Sequence, residues 1–315
     1  MAGITFNLNL AGLSQVKNDP RPVALDAEPQ ADWAAVSQVL SDNAGMQVAR
    51  ISRRGDSITV VAEPERFRSL AQSEGRANRI LHTQADASID SFRFDWQERG
   101  LPLRTSIHDR EHFVQAATSS DLEYTHRYGI YAQASLKNNA DDTLYEAPAQ
   151  RFSWQLSPQI DQNFGGPDGY LYRLKAEYQT DPNGWFSGSL AWTLLDNLDN
   201  YEYIADSDLP RVRTFIGEYL SESSFGVEHL QYTRTAKLSD NVYAMGYGGL
   251  LEMMYAGVGT ELLYRPFDAP WAVGADVNWV RQRAFDQRFD LRSYSTWTGH
   301  LNAYIETGIE DVWPK

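Results

Sequence analysis

From about residue 170 onward, hydrophobic and polar residues alternate with a period of two, and turn residues interrupt the alternation about every ten positions. The pattern predicts strands near 170–180, 185–195, 225–237, 241–253, 255–265, 271–283 and 296–306. The first pair is joined by Asp181-Pro182-Asn183-Gly184, a tight-turn sequence. Only the loop before Ser221 leaves room for a helical period in this half.

The first third of the chain has a different rhythm. Trp33, Val36, Val39 and Leu40 share one helical face between Asp32 and Asn43, and Gly45 suits the stop. Short strands follow near 46–52 and 57–62, joined by Arg53-Arg54-Gly55-Asp56. Pro64 is expected to open a second helix carrying Phe67, Leu70, Ala77, Ile80 and Leu81 on one side. Strands near 88–96 and 101–107 and a short helix over 109–117 complete an α-β-β-α-β-β-α order.

At the extreme N-terminus, Ile4, Phe6, Leu8 and Leu10 alternate with Thr5, Asn7 and Asn9, which reads as a strand and not as a signal peptide. A chain that opens inside a strand is expected to be a piece of a longer one. The division that follows is a terminal strand of a preceding barrel over 1–15, a Pro-rich linker over 16–29 (Pro20, Pro22, Pro29), an α+β module over 30–120, a connecting segment over 121–169 and a partial second barrel over 170–311.

The faces of the later strands suggest what they touch. One face from Tyr170 carries Tyr172, Leu174, Ala176 and Tyr178, against Arg173, Lys175, Glu177 and Gln179 on the other. From Trp271, one face holds Val273, Ala275, Val277 and Trp279, against Ala272, Gly274, Asp276 and Asn278. A third strand is expected to set Tyr243, Met245, Tyr247, Leu251, Met253 and Tyr255 against Ala244, Gly246, Gly248 and Glu252. Aromatics eight residues apart span about 26 Å of strand, or roughly 20 Å of bilayer at a membrane-barrel tilt. Tyr170, Tyr178, Tyr243, Tyr255, Trp271 and Trp279 are therefore candidate membrane-interface aromatics, and Arg173, Arg211, Arg213, Glu252, Arg265 and Asp276 candidate lumen or glycan-contacting residues. A soluble β-sandwich alternates in the same way but tends to place its largest residues in mid-strand.

Composition narrows the partners. The net charge of -14 argues against nucleic acid, and most of it lies after residue 120, where 27 acidic residues face 15 basic ones. Cysteine is absent, so disulfides and thiolate chemistry are excluded, and no run of about 18 apolar residues makes a transmembrane helix. Seven strands are too few to close a single-chain barrel, so the barrel is expected to be incomplete.

Three segments invite chemistry. His108-Asp109-Arg110-Glu111-His112 fits the H-x-x-E-H pattern, in which His108 and His112 on one helical turn bind zinc and Glu111 activates water. The bland alternative is a strand end followed by a helix whose N-cap is Asp109. The acidic loop holding Asp196, Asp199, Glu202, Asp206, Asp208, Glu218 and Glu222 reads as a solvated barrel loop, with Arg211 and Arg213 folding back onto carboxylates such as Glu252. Gly246-Tyr247-Gly248-Gly249 and Gly257-Val258-Gly259 are not between a strand and a helix, so small-residue packing is expected in place of a phosphate loop. No pair of carboxylates stands out for glycoside hydrolysis.

The stretches SIDSFRFDWQERGLPLRTSIHDREHF, DLPRVRT, LLEMMYAGVGTELLYRPF, WAVGADVNWVRQRAFDQRFDLRSY and TGHLNAYIETG resemble the YjbH family of outer-membrane proteins encoded with exopolysaccharide genes. The likeness runs from about residue 2 to 310, and LLEMMYAGVGTELLYRPF and the TGH stretch are its most specific parts. It implies paired barrels with a small α/β module between them, a non-catalytic role in exopolysaccharide secretion or assembly, and a bacterial outer-membrane location. It implies no cofactor, and as partners the exopolysaccharide, outer-membrane lipid, lipopolysaccharide and other polysaccharide-export proteins. Against the family pattern, the signal sequence, most of a first barrel and the last strands of the second are expected to be missing. The overall expectation is a mainly β chain: an incomplete antiparallel transmembrane β-barrel preceded by a small α-β-β-α-β-β-α domain. The alternatives are a zinc-dependent hydrolase built on the H-x-x-E-H segment and a soluble carbohydrate-binding β-sandwich.

Overall fold

A computed structural model describes residues 5–9, 19–67, 69–119, 129–132, 142–149, 151–163, 169–196, 215–222 and 224–306. The chain forms two compact units, one from residues 17–149 and one from residues 1–16 and 150–315.

The smaller unit has the expected element order. Helix α1 (Trp33–Ala44) starts where Asp32 accepts the Ala35 N–H through Oδ1 at 2.7 Å, and ends at Gly45 in the left-handed conformation. Strands β2 (Met46–Arg54) and β3 (Ser57–Pro64) form a hairpin, and α2 (Leu70–Gln84) crosses to β4 (Ser91–Glu98), which pairs parallel to β3. Pro64 does not open α2. It ends β3, and the helix begins at Leu70, because β3 needs its last residue to pair with Met46. Strand β5 (Leu101–Asp109) returns antiparallel to β4 and runs into α3 (Arg110–Thr118), whose N-cap is Asp109. Two strands fall in the segment expected to be a connector: β6 (Gly129–Ala132) beside β5 and β7 (Asp142–Glu146) beside β2, giving the order β6-β5-β4-β3-β2-β7. Val36, Leu40, Met46, Ile51, Val60, Ile80, Leu81, Phe92 and Trp96 are the buried core, where one helical stripe from each of α1 and α2 contributes.

The larger unit is a single sheet of nine strands in the order β1-β8-β9-β10-β11-β12-β13-β14-β15. Its members are β1 (Thr5–Asn9), β8 (Phe152–Asn163), β9 (Gly169–Asp181), β10 (Gly184–Asp196), β11 (Phe225–Ser239), β12 (Val242–Leu250), β13 (Tyr255–Tyr264), β14 (Trp271–Arg283) and β15 (Leu291–Ile305). All pairings are antiparallel, and among the described residues β1 and β15 are free edges, so the sheet is not closed. The terminal strand thus shares a sheet with the later strands through β8, where a separate preceding barrel was expected, and 121–169 supplies three strands. The connections differ widely in length. At one end β9 to β10 and β11 to β12 are joined by two residues each, while at the other β10 and β11 are separated by residues 197–224. That long connection contains α4 (Ile216–Ser221).

Strand β12 stops at Leu250, short of the expected 253. Gly249 takes φ 138°, and the Leu251 and Glu252 N–H groups both turn onto the Tyr255 carbonyl. An added Cβ at Gly249 would lie 2.2 Å from the Leu230 carbonyl oxygen, so the neighbouring strand also demands glycine there.

Candidate functional site

Directly paired residues in an antiparallel sheet point to the same side, so the register sorts the nine-stranded sheet into two faces. One face is apolar and open. Phe152, Tyr178, Phe186, Tyr232, Gly248, Val258, Trp279 and Trp297 form one continuous row across eight strands. Trp154, Leu156, Leu230, Leu262, Val273, Val277 and Leu301 lie on the same side, and Trp297 and Leu301 are 70% and 89% exposed.

The other face carries the polar side chains, and several of these pair with one another. Arg173 on β9 donates through Nε to Glu228 Oε2 at 2.6 Å and through Nη2 to Oε1 at 2.5 Å, and the hydroxyl of buried Ser189 donates to Glu228 Oε2 at 2.5 Å. Farther along, the Tyr247 hydroxyl donates to Asn278 Oδ1 at 2.5 Å, Asn278 Nδ2 donates to Asp276 Oδ1 at 2.7 Å, and Asp276 meets His300 Nδ1 at 3.1 Å. Glu261, Asp276 and His300 stand in direct register on β13, β14 and β15.

At the end of the sheet that carries the β10–β11 connection, buried Arg283 organises the backbone. Its Nη1 and Nη2 reach the carbonyls of Val227, Glu228, Glu252, Gln287 and Arg288 at 2.6–3.2 Å. Tyr219 of α4 is fully buried against Met254 and Phe285 and donates its hydroxyl to the Arg283 carbonyl at 2.7 Å. Gln287 in turn donates its side-chain amide to the Tyr219 carbonyl. Neither Arg283 nor Tyr219 stood out in the sequence, because a long-range carbonyl cluster leaves no local spacing.

The expected site residues divide. Arg173 and Asp276 lie on the polar face as expected, and Arg265 follows β13 at the rim of a cavity described below. Glu252 is not in a strand; it sits in the β12–β13 turn and offers its carbonyl to Arg283. Arg211 and Arg213 lie outside the described residues, as does the side chain of Tyr170. Tyr178, Trp271 and Trp279 are on the apolar face. Tyr243 and Tyr255 are on the opposite one. Tyr243 pairs with Leu263 and takes the Lys237 ammonium over its ring at 5.8 Å, and Tyr255 packs on the Tyr219 cluster. Small residues mislead here: Gly248, expected to face the lumen, belongs to the aromatic row, where Val258 fills the space above it, while Tyr247 turns its hydroxyl inward. Both glycine runs lie within β12 and β13, in keeping with packing and not with phosphate binding.

In the smaller unit, the H-x-x-E-H residues do not share a helical turn. His108 is the penultimate residue of β5 and points inward, its Nε2 3.2 Å from Glu74 Oε2, while His112 is exposed on α3 with Nδ1 3.5 Å from Asp109 Oδ1. Glu74, which sequence reasoning missed, is the hub. Its Oε1 accepts from Trp96 Nε1 at 2.7 Å, Ser106 Oγ at 2.5 Å and Arg104 Nη2 at 3.2 Å. Burial pushes the Glu74 carboxyl up, but the hydrogen bonds of His108 and Ser106 and the charges of His108 and Arg104 outweigh it and hold it below the usual glutamate range. The arrangement joins α2 to β4 and β5 and leaves no carboxylate lone pair facing solvent.

The family model described as exopolysaccharide biosynthesis protein YbjH matches residues 1–313. A curated relative, the "Uncharacterized lipoprotein YjbH" of Escherichia coli (strain K12), is 30% identical over 321 aligned positions, covering 96% of this chain. The chain spans about half of that relative, 46% of its length. No solved structure matches. A match over nearly every residue, together with the identity to that relative, assigns the chain to the YjbH family of exopolysaccharide-associated proteins.

Proposed function

We propose that the nine-stranded sheet is part of the wall of an outer-membrane β-barrel through which, or beside which, an exopolysaccharide passes, and that the chain does no chemistry on it. The observation that carries this reading is the inverted sheet: aromatic and aliphatic side chains are exposed on one face, while the charged and polar ones, several of them paired with each other, gather on the opposite face. In water such an apolar face would drive aggregation, whereas hydrocarbon removes its cost. A soluble sandwich would need a second sheet over that face. The two-residue β9–β10 and β11–β12 turns at one end and the 28-residue β10–β11 connection at the other are also in keeping with bacterial barrels, whose short turns face the periplasm. The two free edges must be paired by further strands in a bilayer, where no unpaired backbone is tolerated.

The relative's lipoprotein name supports an envelope location, and the family description supports the polymer as partner. Outer-membrane lipid and lipopolysaccharide would meet the apolar face, and other export proteins would complete the route. Arg173 and Asp276 would present their remaining hydrogen-bonding capacity to sugar hydroxyls, with tyrosines of the polar face stacking on sugar rings. Fractionation of cells producing the protein tests the reading. Recovery with outer-membrane markers is expected; recovery in the soluble periplasm would overturn it.

A further inference from the structure

Along most of the polar face each charge has a partner, as in Arg173–Glu228 and Asp276–His300. At one end of β13 several neighbouring groups depart from this together. Around the β13–β14 connection, Glu261, Arg265, Trp271, Tyr304 and Glu306 line a cavity of about 400 Å³. That is within the roughly 300–1,000 Å³ of small-molecule sites. The side chains of Glu261, Arg265, Tyr304 and Glu306 make no hydrogen bond or ion pair with any other described residue. Ala272, directly opposite Tyr304 in the register, is too small to fill the space between them.

We propose that this cavity binds a neutral, hydroxyl-rich saccharide unit of a polymer. The proposal deepens the exopolysaccharide reading above and rests on it. A pyranose ring offers an apolar face and a belt of hydroxyls that both donate and accept. Tyr304, half exposed, supplies a ring for the first. For the second, Glu261 and Glu306 accept, and the planar guanidinium of Arg265 donates. Two carboxylates against one guanidinium give the cavity a net negative charge, which repels uronate or phosphate units and selects neutral sugars. Since no internal hydrogen bond must be broken, the ligand meets groups already free to pair.

Calorimetric titration of the detergent-solubilised chain tests the proposal, with neutral oligosaccharides from partial acid hydrolysis of the producing cells' exopolysaccharide as one probe and oligogalacturonate as the other. The neutral probe is expected to bind and oligogalacturonate to bind less tightly. Arg265→Gln, Tyr304→Ala and the cavity-filling Ala272→Phe are each expected to weaken binding at least about tenfold, while Arg53→Gln in the other unit leaves it unchanged. Arg265→Gln disrupts no internal bond, so its loss of binding is not a folding effect. No binding of the neutral probe, tighter binding of oligogalacturonate, or binding indifferent to all three variants would each overturn the proposal. Those outcomes leave the membrane reading standing, since fractionation judges that independently.

Discussion

Arg173 and Glu228 meet across the width of β10, the guanidinium engaging both carboxylate oxygens from one strand while its partner projects from the next but one. Glu228 can reach because the register shifts between Ser189 and Leu190, a bulge that turns its side chain towards Ser189 and Arg173. The pair is mostly shielded, with side chains 17% and 20% exposed, so each charge depends on the other for solvation.

Removing either partner therefore strands a shielded charge. Glu228→Gln or Arg173→Met is expected to cost about 3 kcal/mol of unfolding free energy, whereas the double variant should recover more than half of that. Urea titration of the chain refolded into detergent micelles measures it. Additive losses in the double variant would show that the two side chains act independently.

Gly259 sits beneath Tyr247, and an added Cβ there would lie 2.1 Å from Asn278 Oδ1 and 2.6 Å from Tyr247 Cζ. Gly259→Ala is thus expected to break the Tyr247–Asn278 hydrogen bond and cost about 1–3 kcal/mol through overpacking. Combining it with Tyr247→Ala should restore part of the loss by making room. Gly259→Ala with wild-type stability would contradict the close approach.

What could be read beforehand follows the range of the forces involved. Local periodicity and capping revealed α1, α2, α3 and the seven later strands, since Asp32, Gly45 and Asp109 act within a few residues of themselves. The pairing of β1 with β8, separated by the whole smaller unit, has no such local signature. The face of β12 escapes the local pattern for a related reason. Tyrosine is apolar along its body and polar at its tip, so only the register with β11 and β13 decides that Tyr247 faces Asn278 while Gly248 faces outward. Glu74 was invisible because its four partners lie 22 to 34 residues away.

The Glu74 hub makes the smaller unit acid-sensitive. Its folded-state pKa is lowered, so the stability it contributes is fully present above the unfolded value of about 4.3 and is lost as pH falls through the lower folded value. Hydrogen exchange of the α2 peptide should accelerate below about pH 4, and Glu74→Gln should raise exchange at neutral pH and flatten that dependence. Unchanged protection of α2 in Glu74→Gln would mean that the carboxylate contributes nothing to the fold.

The absence of cysteine makes the sidedness of the sheet directly measurable. If the short turns face the periplasm, Asn241→Cys in the β11–β12 turn should resist a membrane-impermeant maleimide applied to intact cells producing the protein. Arg288→Cys, in the β14–β15 connection at the other end, should react with it. Permeabilising the outer membrane should equalise the two. Labelling of both residues, or of neither, in intact cells would contradict a sheet that spans the membrane.

The faces make the most stringent test, because lipid and water demand opposite residues at neighbouring positions. Val277, 46% exposed, pairs with Gly299 on the apolar face, and Thr298, the residue before Gly299 on β15, pairs with Asn278 on the polar face. Arginine at 277 would enter hydrocarbon and is expected to cost about 2–4 kcal/mol, whereas arginine at 298 would join the polar network at little cost. The comparison is made in phosphocholine vesicles, with the midpoint of denaturant unfolding as readout. A chain whose only tryptophan is Trp297 adds a second readout, since a bromine-labelled acyl chain quenches a ring in contact with lipid. Strong quenching together with a larger penalty for Val277→Arg than for Thr298→Arg fits a lipid-facing row running from Phe152 to Trp297. Equal penalties and no quenching would mean that protein covers that row, and the barrel reading would fall with it.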